Sequence, residues 1–363
     1  MKKTELNQLH HSLGAKMVAF GGFEMPVSYS SIKEEHHCVR EKLGVFDVSH
    51  MGEFFVEGPA ALALLQYACS NDITKLVPGK AQYNYFPNQE GGIVDDLIVY
   101  QLAEEHYLLV VNASNIDKDW AWINALNSSF NAKLTNASED YSLLAVQGPK
   151  AIEAMQALTD FDLASLPFYG HTTTTFADVE NIIIATTGYT GSGGVEIYCK
   201  NDVVAQPWEA IFKAGAAFGV QAIGLAARDT LRLEMGYCLY GNEINDSSSP
   251  IAAGLGWVTR PDTAFVNADS IGKQKEKGTK DKLVGFELID RGIPRTGHDI
   301  VTENGDVIGK VTSGTQSPSL NKAIGLGYVP TEKATPGTTI HIQVRNKVLA
   351  AKVVKLPFYT PQK

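Results

Sequence analysis

The 363-residue chain has only four cysteines, Cys38, Cys69, Cys199 and Cys238, and none stands in a CxxC pair. Scattered in this way they suggest neither a zinc site nor a disulfide framework, and they fit a reducing, cytoplasmic setting. Long apolar runs are missing as well. No segment reaches the roughly 18 apolar residues of a membrane span, and the opening MKKTELNQLHHSLGAK has two lysines without an apolar stretch behind them. Neither secretion nor membrane insertion is expected. Basic charge is scarce: 31 Lys and Arg stand against 40 Asp and Glu, for a net charge of −9. A chain without a dense Lys/Arg stripe has no means of displacing counterions along a phosphate backbone, so no nucleic-acid partner is expected. What remains is an ordinary globular composition, 44% hydrophobic and 20% charged, long enough for two or three domains with their own cores.

The central stretch is Gly91 to Tyr100, GGIVDDLIVY, a glycine pair opening an apolar, β-branched strand with two acids in its middle. Strand side chains alternate between faces, so Asp96 shares a face with Val94, Ile98 and Tyr100, and Asp95 with Ile93, Leu97 and Val99. The two cannot form one paired-acid site. One carboxylate is free to face a ligand while the other takes hydrogen bonds on the opposite side, because an unpaired buried charge is costly; two structural acids at a strand end is the other reading.

Around this stretch the periodicity predicts a short helix and strand over residues 4 to 20, and a helix from Ser31 to Lys42 with a Ser/Glu34 capping box. On that helix Glu34, Glu35, His36 and His37 are adjacent in sequence and point apart, which makes a solvated face and not a metal site the expectation. The strand-like VFDVSHMGEFFV follows. FFVEGPAALALLQYA and YSLLAVQGPKAIEAMQAL then repeat strand, Gly-Pro and apolar helix about 90 residues apart, suggesting two related αβ halves with a site between them. TGYTGSGGVEIY is glycine-rich but lacks a P-loop lysine and enters a strand, so a nucleotide reading is rejected. GLAARDTLRLEMGYC places Arg228, Arg232 and Met235 around a helix, with Asp229 and Glu234 available as partners. GKQKEKGTKDK reads as a solvated linker. From about Lys282 onward, short β-like runs alternate with turns such as Glu303-Asn304-Gly305, as in a small barrel or sandwich.

Taken in order, LGAKMVAFGGFEMPVSY, GVFDVSHMGE, GGIVDDLIVY, VVNASN, TGYTG, GLAARDTLRLE, LYGNEI and GKVTSGTQSPSLNKAIGLGYV cover nearly the whole chain. Together they resemble the glycine cleavage system T protein family, the tetrahydrofolate-dependent aminomethyltransferases. The resemblance implies an α+β fold: two intertwined α/β subdomains over residues 1–275, with changeovers near 53 and 140, around a central folate cavity, then a jelly-roll-like β-barrel over 276–363. It implies transfer of a methylene from an aminomethyl group on the lipoyl arm of the partner H protein to tetrahydrofolate as co-substrate, with no metal, in a cytoplasmic and monomeric enzyme.

The resemblance also assigns residues. Asp96 becomes the catalytic carboxylate beside the reactive folate nitrogen. Glu196 accepts the amino group and ring N–H of the pterin, and Arg228 borders that ring. Met51, Tyr83, Tyr100, Asn112 and Tyr189 match further cavity positions, and Trp257, in GLGWV, is a cavity-wall candidate. For the H protein, typically acidic, Arg291 and Arg295 in DRGIPRTGHD are the docking candidates. Two other readings fit parts of the chain. The folate-binding half of dimethylglycine or sarcosine dehydrogenases acts on similar chemistry, but no GxGxxG flavin fingerprint is present. Folate-binding iron–sulfur maintenance factors carry a signature cysteine; here Cys238 lacks the lysine-led context and reads as buried core.

Overall fold

The computed structural model describes residues 1–361. The chain opens with α1 (Asn7–Ser12), the hairpin β1 (Lys16–Phe20) and β2 (Phe23–Ser28), and α2 (Ile32–Glu41). The expected capping box starts α2: Ser31 accepts from the Glu34 backbone N–H, and the Glu34 side chain accepts from that of Ser31. VFDVSHMGEFFV is not one strand. It breaks at Val48–Met51 into β3 (Gly44–Asp47) and β4 (Gly52–Glu57), which belong to different sheets.

Two αβ halves follow. The first consists of β4, α3 (Ala61–Ala68), β5 (Lys80–Pro87), β6 (Ile93–Ala103), β7 (His106–Val111), α4 (Ile116–Asn127) and β8 (Lys133–Asn136). The second consists of β9 (Tyr141–Gln147), α5 (Ala151–Met155), β10 (His171–Phe176), β11 (Val179–Ala185), β12 (Gly194–Lys200), α6 (Ala205–Gly215) and β13 (Gln221–Ala222). Their sheets run β5-β6-β7-β4-β8 and β10-β11-β12-β9-β3-β13. The order is the same, strand for strand, except that β3 from the N-terminal segment is inserted between β9 and β13. That insertion is what intertwines the halves.

The duplication goes further than the Gly-Pro motif. After α3, Asp72 caps a short 3-10 turn by accepting from Thr74 N–H at 3.1 Å; after α5, Asp162 does the same for Ala164 at 3.1 Å. Both turns lead into the edge strand of their sheet, and the two edges meet: Ala81 N–H donates to Tyr169 O at 2.8 Å and His171 N–H to Gly79 O at 2.9 Å. A large apolar core, including Leu144, Val146, Ile184, Ile197, Trp208 and Ile211, lies among the strands and helices of the second half.

The remainder comprises α7 (Leu225–Glu234), α8 (Ala268–Lys277), and β14 (Asp281–Leu288), β15 (Asp299–Val301), β16 (Val307–Ser317), β17 (Lys322–Pro330), β18 (Thr339–Val344) and β19 (Lys347–Val354). The last six close into a barrel in the order β14-β17-β16-β15-β18-β19, each neighbouring pair antiparallel. β15, β16 and β17 are consecutive hairpin partners; β14 returns beside β17 and β18 beside β15, two Greek keys of the jelly-roll kind. The barrel is filled by Val284, Phe286, Ile300, Ile340, Ile342 and Val353.

By compactness the chain divides into one unit of residues 1–68, 72–84 and 96–229, and another of 69–71, 85–95 and 230–363. In the second, the buried Arg232 pairs with Glu243 at 2.8 Å and donates to Ser313 Oγ at 2.7 Å, while Glu234 accepts from Ser317 and Ser319. These tie α7 to the barrel strand β16 and the turn after it.

Three further expectations are corrected. GKQKEKGTKDK is mostly helix, not linker: α8 forms because Ile271 and Ala268 bury against Phe265, which composition alone does not reveal. The α2 face is solvated only in part: Glu34 is exposed and His37 half-buried. His36 and Glu35 are fully buried, and Glu35 accepts from the N–H groups of Tyr29, Ser30 and Gly224, each at 2.7 Å, so a carboxylate satisfies three loop amides. Cys238 is half-buried instead of core, whereas Cys38, Cys69 and Cys199 are buried, and none of the four forms a disulfide.

Candidate active site

The glycine pair before β6 has a local cause. Asn88 accepts from Gly92 N–H at 2.7 Å and donates to Asp246 O at 2.7 Å, and a Cβ on Gly92 would lie 1.7 Å from that same carbonyl oxygen. Only glycine lets the strand start there.

From that start, alternation sorts the acids as expected. Asp95 is fully buried, while Asp96 and Ile98 are half-buried. The Asp96 carboxylate is held at both oxygens: Tyr83 Oη donates to Oδ2 at 2.8 Å, and Asn112 Nδ2 donates to Oδ1 at 2.9 Å. Asn112 also donates to the Asp96 carbonyl at 3.1 Å. Tyr83 comes from β5 and Asn112 from the end of β7, the strands flanking β6. Three residues singled out in the sequence therefore converge, on adjacent strands of one sheet, into a carboxylate that cannot swing freely.

The second cluster lies in the other half. Glu196 on β12 is 7% exposed, and Thr187 Oγ1 donates to its Oε2 at 2.5 Å. Burial pushes the Glu196 carboxyl above its ordinary range, while the Thr187 hydrogen bond and the Arg228 guanidinium pull it back. Burial in turn lowers Arg228, and Glu196 opposes that. The Arg228 guanidinium lies over the Tyr189 ring at 4.7 Å, a cation–π contact. Its Nη1 is buried without a hydrogen-bond partner among the described residues, a cost that a polar ligand atom would remove.

Tyr100 joins the clusters. It lies four residues along β6 from Asp96 on the same face, is fully buried, and its hydroxyl meets Thr187 Oγ1 at 3.0 Å and Tyr198 Oη at 2.8 Å. Met51 is half-buried beside His50. His50 is itself buried, and desolvation and then Arg228 drive its imidazole down to about 4, with Asp47 opposing. Trp257, Arg291 and Arg295 belong to the other compact unit and are all exposed; Arg295 Nη1 donates to Gly314 O at 3.1 Å.

Sequence reasoning passed over Thr187, Tyr198, His50 and Glu53. Tyr198 was within reach, since it shares a face of β12 with Glu196; Thr187 opens the TGYTG string. Glu53 on β4 is fully buried, and neither carboxyl oxygen has a hydrogen-bond partner among the described residues. Desolvation alone pushes its carboxyl well above the usual range. Among the described residues no group of three or more His, Cys, Asp or Glu is arranged to hold a metal ion, and no helix is long and apolar enough to cross a membrane.

An α+β chain of two like halves and a closed terminal barrel, with an anchored aspartate on one sheet and a Glu/Arg cluster on the other, defines a narrow architectural class. The family model described as the GCVT N-terminal domain matches residues 6–263, and the glycine cleavage T-protein C-terminal barrel domain matches residues 282–360. An aminomethyltransferase of Flavobacterium psychrophilum is 57% identical, and one of Bacteroides thetaiotaomicron 56%, each over 99% of both chains. The crystal structure of glycine cleavage system aminomethyltransferase T from Bartonella henselae superposes with a TM-score of 0.93 at 34% identity, over 99% of both chains. The chain belongs to the glycine cleavage T-protein family of aminomethyltransferases, a folate-dependent family of transferases.

Proposed function

We propose that this enzyme takes the methylene of an aminomethyl group carried on the lipoyl arm of H protein and transfers it to tetrahydrofolate, giving 5,10-methylenetetrahydrofolate, ammonia and dihydrolipoyl H protein. The observation that carries the reading is the doubly anchored Asp96, with Tyr83 and Asn112 each donating to one oxygen. The co-substrate supplies the nitrogens that capture the carbon. The chain has to orient them, exclude water that would release the carbon as formaldehyde, and manage charge.

Asp96, held by two donors, keeps lone pairs on both oxygens to stabilise developing positive charge and to accept a proton at the reacting nitrogen. Tyr83 and Asn112 fix its orientation. Glu196 suits an amino group beside a ring N–H, since one carboxylate accepts both. Arg228, stacked on Tyr189 with Nη1 unsatisfied among the described residues, fits a polar edge of the same ring. Met51 supplies apolar contact and Tyr100 holds the polar lining; Trp257 is the outer wall candidate. In this reading residues 1–275 bind folate and 276–363 form the barrel domain of a cytoplasmic monomer.

The test mixes the protein with tetrahydrofolate and aminomethylated H protein and measures ammonia and methylenetetrahydrofolate. Turnover well above the uncatalysed rate is expected; none would sink the proposal. Arg291 and Arg295 are proposed to dock the acidic carrier. Reversing both charges (R291E/R295E) should slow transfer from the carrier about tenfold, an effect strongest at low salt, and leave folate affinity unchanged; unaltered carrier kinetics would remove that assignment.

A further inference from the structure

We propose that Thr187 is the positioning residue for Glu196: it is the last donor of a one-way chain of hydroxyls that turns the carboxylate toward a heterocycle bearing an amino group beside a ring N–H. The proposal rests on the folate reading above and adds to it a residue that touches the ligand only through Glu196.

A hydroxyl has one hydrogen to give. Thr187 gives its own to Glu196 Oε2 at 2.5 Å, so at the 3.0 Å contact between Tyr100 Oη and Thr187 Oγ1 the tyrosine must donate. Tyr100 has then spent its hydrogen, and at the 2.8 Å contact with Tyr198 Oη the donor must be Tyr198. With Glu196 ionised and Thr187 its donor, the direction runs Tyr198 to Tyr100 to Thr187 to Glu196. It starts and ends on β12, two residues apart, after passing through β6 and the loop before β12. All three donors are buried, so water does not compete for them. Each bond polarises the next toward the carboxylate.

Thr187 is itself held in place. Gln147, the last residue of β9, donates from Nε2 to the Thr187 carbonyl at 3.2 Å and accepts from Thr190 Oγ1 at 2.8 Å, bridging the two ends of the TGYT turn. Gly188 makes this fit possible. Its φ is +156°, and a Cβ there would lie 2.1 Å from Gln147 Oε1. The loop is thus fastened to the sheet directly behind the threonine, and Thr187 holds Oε2 while Oε1 is left to face a ligand.

The experiment measures tetrahydrofolate binding by calorimetry and the KM and kcat of transfer for wild type, T187V, T187S, Y198F and E196Q. T187V is expected to weaken folate about tenfold, raising its KM by the same factor with kcat changed less than about twofold. T187S, which returns the donor, should bind within about threefold of wild type. A merely structural threonine would not give that rescue. Y198F, which deletes only the first donor, should cost about twofold to fivefold. Wild-type affinity in T187V, or T187S as weak as T187V, would overturn the positioning role. Should T187V fail to fold, wild-type affinity in Y198F would overturn the chain on its own. E196Q separates the two levels: wild-type folate binding in E196Q would sink the pterin-anchor reading itself, whereas a weak E196Q beside a normal T187V removes only Thr187.

Discussion

The two αβ halves run their strands in one order and turn from strand to helix through the same Gly-Pro step, yet they use their polar residues for different ends. The first half anchors its acid from both sides: Asp96 sits on the second strand of its sheet, gripped by donors from the strands beside it. The second half sets its acid on the third strand and fastens it from a loop, through Thr187, with a cation nearby. A fixed carboxylate flanked by neutral donors suits proton and charge management. One that feels a buried guanidinium's charge suits recognition. Duplication supplied two frames, and the division of labour came from where each frame carries its charge.

The most severe way to break this comparison is Asp96→Asn. If the first half does chemistry, the amide should keep folate affinity and lose about 10²- to 10⁴-fold in kcat, read by single-turnover formation of methylenetetrahydrofolate. Full activity would refute the role. The complementary change, Glu196→Gln or Arg228→Met, should weaken folate about tenfold to a hundredfold by loss of a charge-assisted bond, with kcat much less altered. An exchange of these phenotypes would reverse the assignment of the halves. The pH dependence sharpens it: Glu196 accepts as a carboxylate, and burial raises its pKa, so folate affinity should fall as pH drops, starting above the ordinary glutamate range. E196Q should flatten that profile.

A smaller effect tests the halves at matched positions. Aligning the Gly58-Pro59 and Gly148-Pro149 turns sets Glu53 opposite Leu143, both buried. Glu53 has a raised folded-state pKa, so the folded protein binds that proton more tightly than the unfolded chain does. Stability is then fully present below the ordinary glutamate range and is lost as pH rises toward the folded value. Glu53→Leu should remove this slope and raise stability near neutral pH by about 1–3 kcal/mol, measured by urea unfolding across pH. An unchanged slope would show that Glu53 has a partner in solution.

The sequence revealed more of the first half than of the second. Strand alternation alone separated Asp95 from Asp96, because burial in β6 follows the pleat, and motif order brought Tyr83 and Asn112 to the same place. Thr187 stayed hidden. Its role depends on the meeting of β6, β9 and β12, and nothing in TGYTG states which side chains lie across from it. Glu35 was hidden for a similar reason, since its three amide donors include one 189 residues away. The helix α8 was misread because the string GKQKEKGTKDK is dominated by lysine while Ile271, just before it, decides the fate of the helix.

The bridge between the β5 and β10 edges has a consequence for how this protein can be made or taken apart. Each half carries an edge that would otherwise be bare, and each is partly covered by its twin. Separated fragments, cut in the connection between β8 and β9, would expose those edges as templates for pairing with any neighbouring chain. The duplicated halves are therefore each other's protection against aggregation, and co-expression of both pieces should recover soluble material that neither yields alone.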